Sequence, residues 1–245
     1  MTRYKIIIEY FGDNLVGWQK QNNGQSVQDL IESAIYKFTR EVVVVYAAGR
    51  TDSGVHARGQ VAHFELVKQL DVHTIIRATN HFLRPNQISI LDCIIVSDDF
   101  HARFSAKKRH YQYVILNRKA PPAIDIGRVW HVSCDLDIVD MKRAAEFLLG
   151  MHDFSSFRAS ECQANSPIKT LEKLDIVQSG DYIYFNLSAI SFLHHMVRNI
   201  VGTLYHVGIG QIDASDMPHI IDARDRAKAG ITAPAEGLYF MRVDY

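Results

Sequence analysis

Cysteine is scarce: Cys93, Cys134 and Cys162 are the only three in 245 residues, widely spaced and odd in number. That excludes a disulfide framework and the paired spacing of a zinc site. Net charge is absent too, since 27 Lys and Arg cancel 27 Asp and Glu. The chain therefore has no global field to draw in a polyanion, and positive charge for a nucleic acid has to be local. No apolar run approaches the roughly 20 residues needed to span a bilayer. The opening MTRYKIIIEY is too short and too charged in its apolar part for a signal peptide, and reads as a strand. A GxxxxGKS or GxxxxGKT phosphate loop, a GxSxG elbow and an HExxH metal motif are missing as well. Twelve histidines fall in no ligand spacing, so no metal is expected. Gly208-Ile209-Gly210-Gln211-Ile212-Asp213 lacks the third glycine of a dinucleotide fingerprint and follows a helix, so it reads as a helix end and turn. With 47% hydrophobic and 22% charged residues, both ordinary values, the expectation is a soluble, cytoplasmic, globular protein of one large domain or two small ones.

The elements alternate. Arg3–Tyr10 reads as a strand. Ser26 caps a helix whose apolar positions Val27, Leu30, Ile31, Ala34, Ile35 and Phe38 repeat at intervals of three and four. Glu41–Ala48, Gln60–Leu66 and Ile88–Val96 read as strands and Asp71–Leu83 as a helix. Later come a strand at Arg109–Leu116, a helix from Asp137 to Leu149, and a hairpin of Thr170–Gln178 and Tyr182–Ala189 around Ser-Gly-Asp. A helix follows with Leu193, Met196, Val197, Ile200, Val201 and Leu204 on its buried face, then a closing strand at Gly237–Tyr245. Two βαββαβ-like halves, 1–104 and 105–245, predict an α+β protein of two lobes with antiparallel or mixed sheets meeting at a central cleft.

Three segments carry chemistry. Gly49-Arg50-Thr51-Asp52-Ser53-Gly54-Val55-His56-Ala57 interrupts two strands and holds a carboxylate two residues from a guanidinium. A neighbouring Arg⁺ keeps a carboxylate ionised and ready as a nucleophile; a turn capped by Asp52, with Arg50 a surface charge, accounts for the same residues. Phe100–Lys119 carries Arg103, Lys107, Lys108, Arg109, Arg118 and Lys119 without one acid, interleaved with Phe104, Tyr111 and Tyr113. Cations for phosphates and rings for unpaired bases favour RNA over a merely solvated strand. Finally, His194-His195-Met196-Val197-Arg198-Asn199 puts Arg198 one turn after His194 and off the apolar stripe. Arg198 calls for a carboxylate partner, with Asp52 one candidate and a structural ion pair the other.

Ala48–Phe64, AGRTDSGVHARGQVAHF, resembles the signature of the tRNA pseudouridine synthase A family. YFGDNLVGWQKQNNGQSVQDLIE, DDFHARFSAKKRHYQYVI, HDFSSFRAS, FLHHMVRNIVGTL and AEGLYF match further family blocks in the same order, over nearly the whole chain. The resemblance implies the pseudouridine synthase fold and isomerisation of uridines at positions 38, 39 and 40 of the tRNA anticodon arm, without cofactor. By resemblance Asp52 is the catalytic aspartate, Tyr111 packs against the target base, and Arg198 pairs with the carboxylate. Arg50 holds or replaces the flipped nucleotide, and Leu238 forms the floor of the base pocket. Arg58, Lys107, Lys108 and Arg109 join Arg50 as expected RNA contacts. A homodimer, with a tRNA touching both subunits, is likewise implied by resemblance.

This chemistry is coherent with what the sequence lacks. The rearrangement is redox-neutral and moves no phosphoryl group, and one carboxylate suffices because the detached uracil recaptures the sugar carbon. A hydrolytic glycosidase uses two carboxylates, and the loop supplies one. A tRNA-binding protein without catalysis and a nucleoside hydrolase are the competing readings. Residues 152–169 read as a mobile or partner-contacting loop with Cys162 an incidental surface thiol.

Overall fold

Tyr4, Ile6, Ile8 and Tyr10 are buried while the residues between them are more exposed, the period-2 pattern of a half-buried strand, β1 (Thr2–Tyr10). A computed structural model describes residues 1–245, which fall into two units: Met1–Lys107 with Tyr239–Tyr245, and Lys108–Leu238. The protein is α+β, with antiparallel and parallel pairings in both units.

In the first unit β1 is followed by α1 (Val27–Thr39), β2 (Tyr46–Ala47), β3 (His56–Leu66), α2 (Val72–Leu83) and β4 (Ile88–Val96). That is the expected βαββαβ order. β1 lies between β4 and β3, antiparallel to both. Ser26 caps α1 by accepting the Asp29 amide, and Val27, Ile31, Ala34 and Ile35 form its buried face, each contributing roughly 1.5–3 kcal/mol where a full aliphatic side chain leaves water. Asp71 caps α2 in the same way through Thr74.

The Val-rich strand expected over 41–48 shrinks to Tyr46–Ala47. Val43 and Val45 are buried and Val42 and Val44 exposed, so the alternation is present. Side chains stand in for a strand ladder here: the Glu32 carboxylate accepts the Val45 amide, and that of Glu41 accepts the amides of Val67 and Lys68. Chain order assigns the last strand, β10 (Leu238–Asp244), to the second lobe. Its residues Tyr239 and Phe240 pair instead with His56 and Ala57 of β3. Asp244 accepts the Lys107 amide at 2.8 Å, and the first unit accordingly runs to Lys107 and regains the final strand.

Beside this strand pairing sits a buried histidine, His63, 4% exposed. Its Nδ1 accepts the Ala102 amide at 3.2 Å. Loss of water, with the neighbouring His101 and Arg3 adding to it, pulls the imidazole from 6.5 down to about 4. As pH falls through 6.5 the unfolded chain takes up a proton that the folded chain refuses. The first unit therefore keeps its full stability above about pH 7 and loses about 3 kcal/mol by pH 4 on account of this group. Urea midpoints at neutral and mildly acidic pH check this: His63→Phe should shrink the difference between them, and an unaltered difference would assign the acid sensitivity to other groups.

The second unit contains β5 (Lys108–Asn117), β6 (Trp130–Val132), α3 (Ile138–Glu146), β7 (Gly150–Asp153), β8 (Ile168–Ser179), β9 (Tyr182–Ala189), α4 (Met196–Gly208) and α5 (Met217–Ala223). β9 lies antiparallel between β5 and β8, β7 pairs with β8, and β6 runs parallel to β5. Tyr113, Ile115, Leu171, Phe185, Leu187, Met141, Ile200 and Leu204 are fully buried or nearly so. The helix expected to reach Leu149 ends at Glu146, because Leu148 and Leu149 donate to carbonyls three residues back and tighten the last turn.

Candidate functional site

The loop after β2 is fastened at both shoulders. The Gln60 amide, fully buried, donates to the Gly49 carbonyl at 2.8 Å. Trp18 donates its amide to the Thr51 carbonyl at 3.0 Å, and the Tyr10 and Thr51 hydroxyls lie 2.7 Å apart. Burial pushes the Tyr10 phenol up to about 12, so it stays neutral at this position. Val55 donates to the Asp52 carbonyl at 3.2 Å, closing a turn in which Gly54 has φ +79, and Ser53 Oγ donates to Leu15 at 3.0 Å. At the tip, Asp52 is half-buried and Arg50 exposed. Arg58, also exposed, holds its guanidinium 5.4 Å from the Tyr239 ring.

Sequence reasoning passed over what braces this loop. A Cβ on Gly12 would lie 2.1 Å from the Val55 carbonyl oxygen, and one on Gly17 would lie 2.5 Å from that of Thr51. The segment after β1 therefore packs backbone against backbone on the loop. His56 is buried, accepts the Gly12 amide through Nδ1 at 2.8 Å, and stacks on Phe11 at 4.7 Å with planes 4° apart. An accepting Nδ1 places the ring proton on Nε2. The glycine spacing in YFGDNLVGW was the available signal.

In the second unit Arg198 is the third residue of α4 and half-buried. Its Nε donates to the Ala233 carbonyl at 2.7 Å, and Ala233 returns its amide to the Arg198 carbonyl at 3.1 Å. The strap that includes Ala233 is stitched to α4: Asn199 Oδ1 accepts from Thr232 and Arg226, and Thr203 Oγ1 accepts the Gly230 amide. The contact closes at Gly202, where a Cβ would sit 1.8 Å from the Ile231 carbonyl oxygen. Gly202→Ala is expected to cost about 3 kcal/mol through forced separation of helix and strap, read as a lowered Tm; an unchanged Tm would mean that the strap does not depend on this contact.

His194 and His195 were expected on the late helix. They precede it, because His195 adopts φ +62 and α4 starts at Met196. Their rings lie 4.0 Å apart, and the His194 amide donates to Cys162 Sγ at 3.4 Å. Cys162 is thus buried rather than a surface thiol, and the segment around it contains β7 and a short 3₁₀ turn at Ser155–Phe157. Tyr111, on β5 opposite Leu187, meets Phe192 edge-on at 5.0 Å and is half-buried. Leu238 is buried at the start of β10.

The basic ribbon divides in space. Lys107 is exposed. Lys108 pairs with Glu172 at 2.5 Å, and Arg118 with Asp181 at 3.4 Å. Arg109 is buried and donates to the Ile190 carbonyl at 2.6 Å. A stretch without acids in sequence therefore meets acids from β8 and from the turn that joins it to β9. Asp52, Arg50, Arg58 and Lys107 belong to the first unit, and Tyr111, Arg198 and Leu238 to the second.

A family model described as tRNA pseudouridine synthase matches residues 6–105 and 144–245. The chain belongs to the tRNA pseudouridine synthase family. It is 52% identical over 244 residues to the tRNA pseudouridine synthase A of Ehrlichia canis (strain Jake), covering 99% of this chain and 100% of that one. To the tRNA pseudouridine synthase A of Anaplasma phagocytophilum (strain HZ) it is 51% identical over 245 residues, with 99% and 100% covered. A solved structure titled Crystal Structure of a Cbf5-Nop10-Gar1 Complex aligns with 96% of this chain and 57% of that one, at a TM-score of 0.37 and 9% identity. As a tRNA pseudouridine synthase the protein is an isomerase that modifies tRNA, and the hydrolase and non-catalytic readings give way. No helix of this synthase is long and apolar enough to cross a membrane.

Proposed function

We propose that this synthase converts uridines at positions 38, 39 and 40 of the tRNA anticodon arm to pseudouridine, with Asp52 as its catalytic carboxylate. The observation that supports the reading most is the half-buried Asp52 side chain at the tip of a loop pinned on both sides by hydrogen bonds, one of them buried. Such a loop holds a nucleophile in place before substrate arrives. Asp52 promotes loss of the C1′–N1 bond, whose electron pair leaves with the uracil. The ring turns, C5 bonds to C1′, and the C5 proton departs while N1 regains one, so substrate and product are isomers.

The target base has to leave its stack first, at a cost of a few kcal/mol. Arg50, exposed two residues from Asp52, offsets that cost by occupying the vacancy and contacting phosphate. In the roles that the family resemblance implies, Arg198 pairs with the catalytic carboxylate, Tyr111 packs on the uracil and assists removal of its C5 proton, and Leu238 gives an apolar wall that limits hydrolysis. Arg58 and Lys107 take phosphate contacts. Lys108 would exchange Glu172 for a phosphate, whereas Arg109 mainly secures β5. On this reading the enzyme works as a homodimer in the cytoplasm and needs no cofactor, since no electrons or phosphoryl groups are transferred.

The test is tritium release from C5-tritiated uridine in unmodified tRNA, followed by mapping of pseudouridine along the product. Release without added metal or nucleotide, with product at 38, 39 and 40, is expected. Pseudouridine confined to another arm of the tRNA would overturn the positional reading.

A further inference from the structure

The turn after β4 holds a phenylalanine out in solvent. Phe104 is 76% exposed, a poor use of an aromatic ring unless something covers it. The turn beneath it is tightly secured. His101 donates its amide to Ser105 Oγ at 2.9 Å, Ser105 returns its own to the His101 carbonyl at 2.8 Å, and His101 Nδ1 accepts the Arg103 amide at 3.1 Å. Tyr245 donates its hydroxyl to the Ala102 carbonyl at 2.8 Å. A loop built this way presents its ring in one orientation.

The ring continues an aromatic array that rises from the interior. Buried His63 stacks on Tyr46 at 5.2 Å and meets His101 at 4.6 Å, and His101 meets Phe104 at 4.4 Å. Tyr46 is 49% exposed, so two open rings flank His101. Loss of water and nearby Arg3 and Arg103 pull the His101 imidazole below its ordinary value, which leaves the array uncharged at neutral pH. Positive charge adjoins it: the exposed Arg103 guanidinium lies over the Phe104 ring, 5.6 Å from its centre, and Lys107 is exposed three residues on.

We infer that Phe104, with His101, Tyr46 and Arg103, forms a second RNA subsite on the first unit that stacks an unpaired nucleobase and pairs its phosphate. Flat uncharged rings bordered by cations match the two faces of a single-stranded nucleotide, one aromatic and one anionic. An apolar protein partner would use the rings and leave the cations idle. The inference rests on the tRNA reading above and adds a contact outside the Asp52 loop.

Three measurements test it. Binding of a single-stranded oligoribonucleotide containing 2-aminopurine should quench that base's fluorescence with wild type and not with Phe104→Ala, and Phe104→Trp should restore the quench. With unmodified tRNA, Phe104→Ala should raise KM by roughly 5- to 100-fold, and Arg103→Ala should flatten the salt dependence of binding by about one phosphate contact. Equal quenching and equal KM for wild type and Phe104→Ala would overturn the subsite. A change in molar mass by light scattering, with RNA affinity retained, would overturn it in favour of a contact with a second copy. Failure of wild type itself to release tritium from tRNA would instead strike the activity on which the inference rests.

Discussion

Asp52→Asn is expected to lower kcat by about 10⁴-fold or more while tRNA affinity stays within about threefold of wild type. The amide has the shape of the carboxylate, and the turn around it is closed by backbone, the Val55 amide on the residue 52 carbonyl at 3.2 Å. The loop therefore keeps its form and loses only its negative charge. Arg50, Arg58 and Lys107 remain exposed for the RNA, which is why binding survives. Single-turnover tritium release and filter binding separate the two quantities. A rate within tenfold of wild type would remove Asp52 from the chemistry, and a parallel loss of affinity would make it a binding residue.

Gly12→Ala should lower turnover by about 10²-fold, although residue 12 carries no chemistry. Its new methyl would stand 2.1 Å from the Val55 carbonyl oxygen and close to the carbonyl carbon of Gly54, backbone atoms that move only with the whole loop. A shift of about 1 Å at a reacting group costs about 10²-fold in rate, and the Gly12 amide bond to His56 Nδ1 is strained at the same time. Of the strands β1, β3 and β4 only the first residue of β3, His56, takes part in this contact, so Tm should fall by only a few degrees. Equal kcat for the two proteins would show that the loop finds its working position without this brace. A collapse of Tm would show that the brace is needed for the fold itself.

Much of the architecture was legible from periodicity. β1 announces itself by its β-rich run centred on Ile6, Ile7 and Ile8, and α1 by its cap and its three–four spacing. The hairpin of β8 and β9 is marked by its Ser-Gly-Asp turn. Where the reading fell short, the deciding partner was remote in sequence. Val42–Val45 has the period of a strand, yet the Glu32 carboxylate takes the Val45 amide in place of a neighbouring strand. His194 and His195 look helical until the left-handed backbone at His195 delays the helix. For the site, the motif around Asp52 was plain in the sequence, whereas its bracing by Gly12, Gly17 and His56 was not. The ribbon's ion pairs were hidden for the same reason: local sequence records no acid, but Glu172 and Asp181 arrive from β8 and the turn beyond it. Arg109, read as an RNA contact, is drawn inside by a carbonyl 81 residues away.

The pairing of β10 with β3 also sets an order of events on the ribosome. β1 to β4 emerge early, but the edge of β3 at His56 and Ala57 waits for Tyr239 and Phe240, which emerge only after the entire second unit has been made. Throughout that interval the strand leading out of the Asp52 loop has an open edge, a surface on which nascent chains associate wrongly. The synthase thus closes the sheet of its first unit only after its second unit has been made.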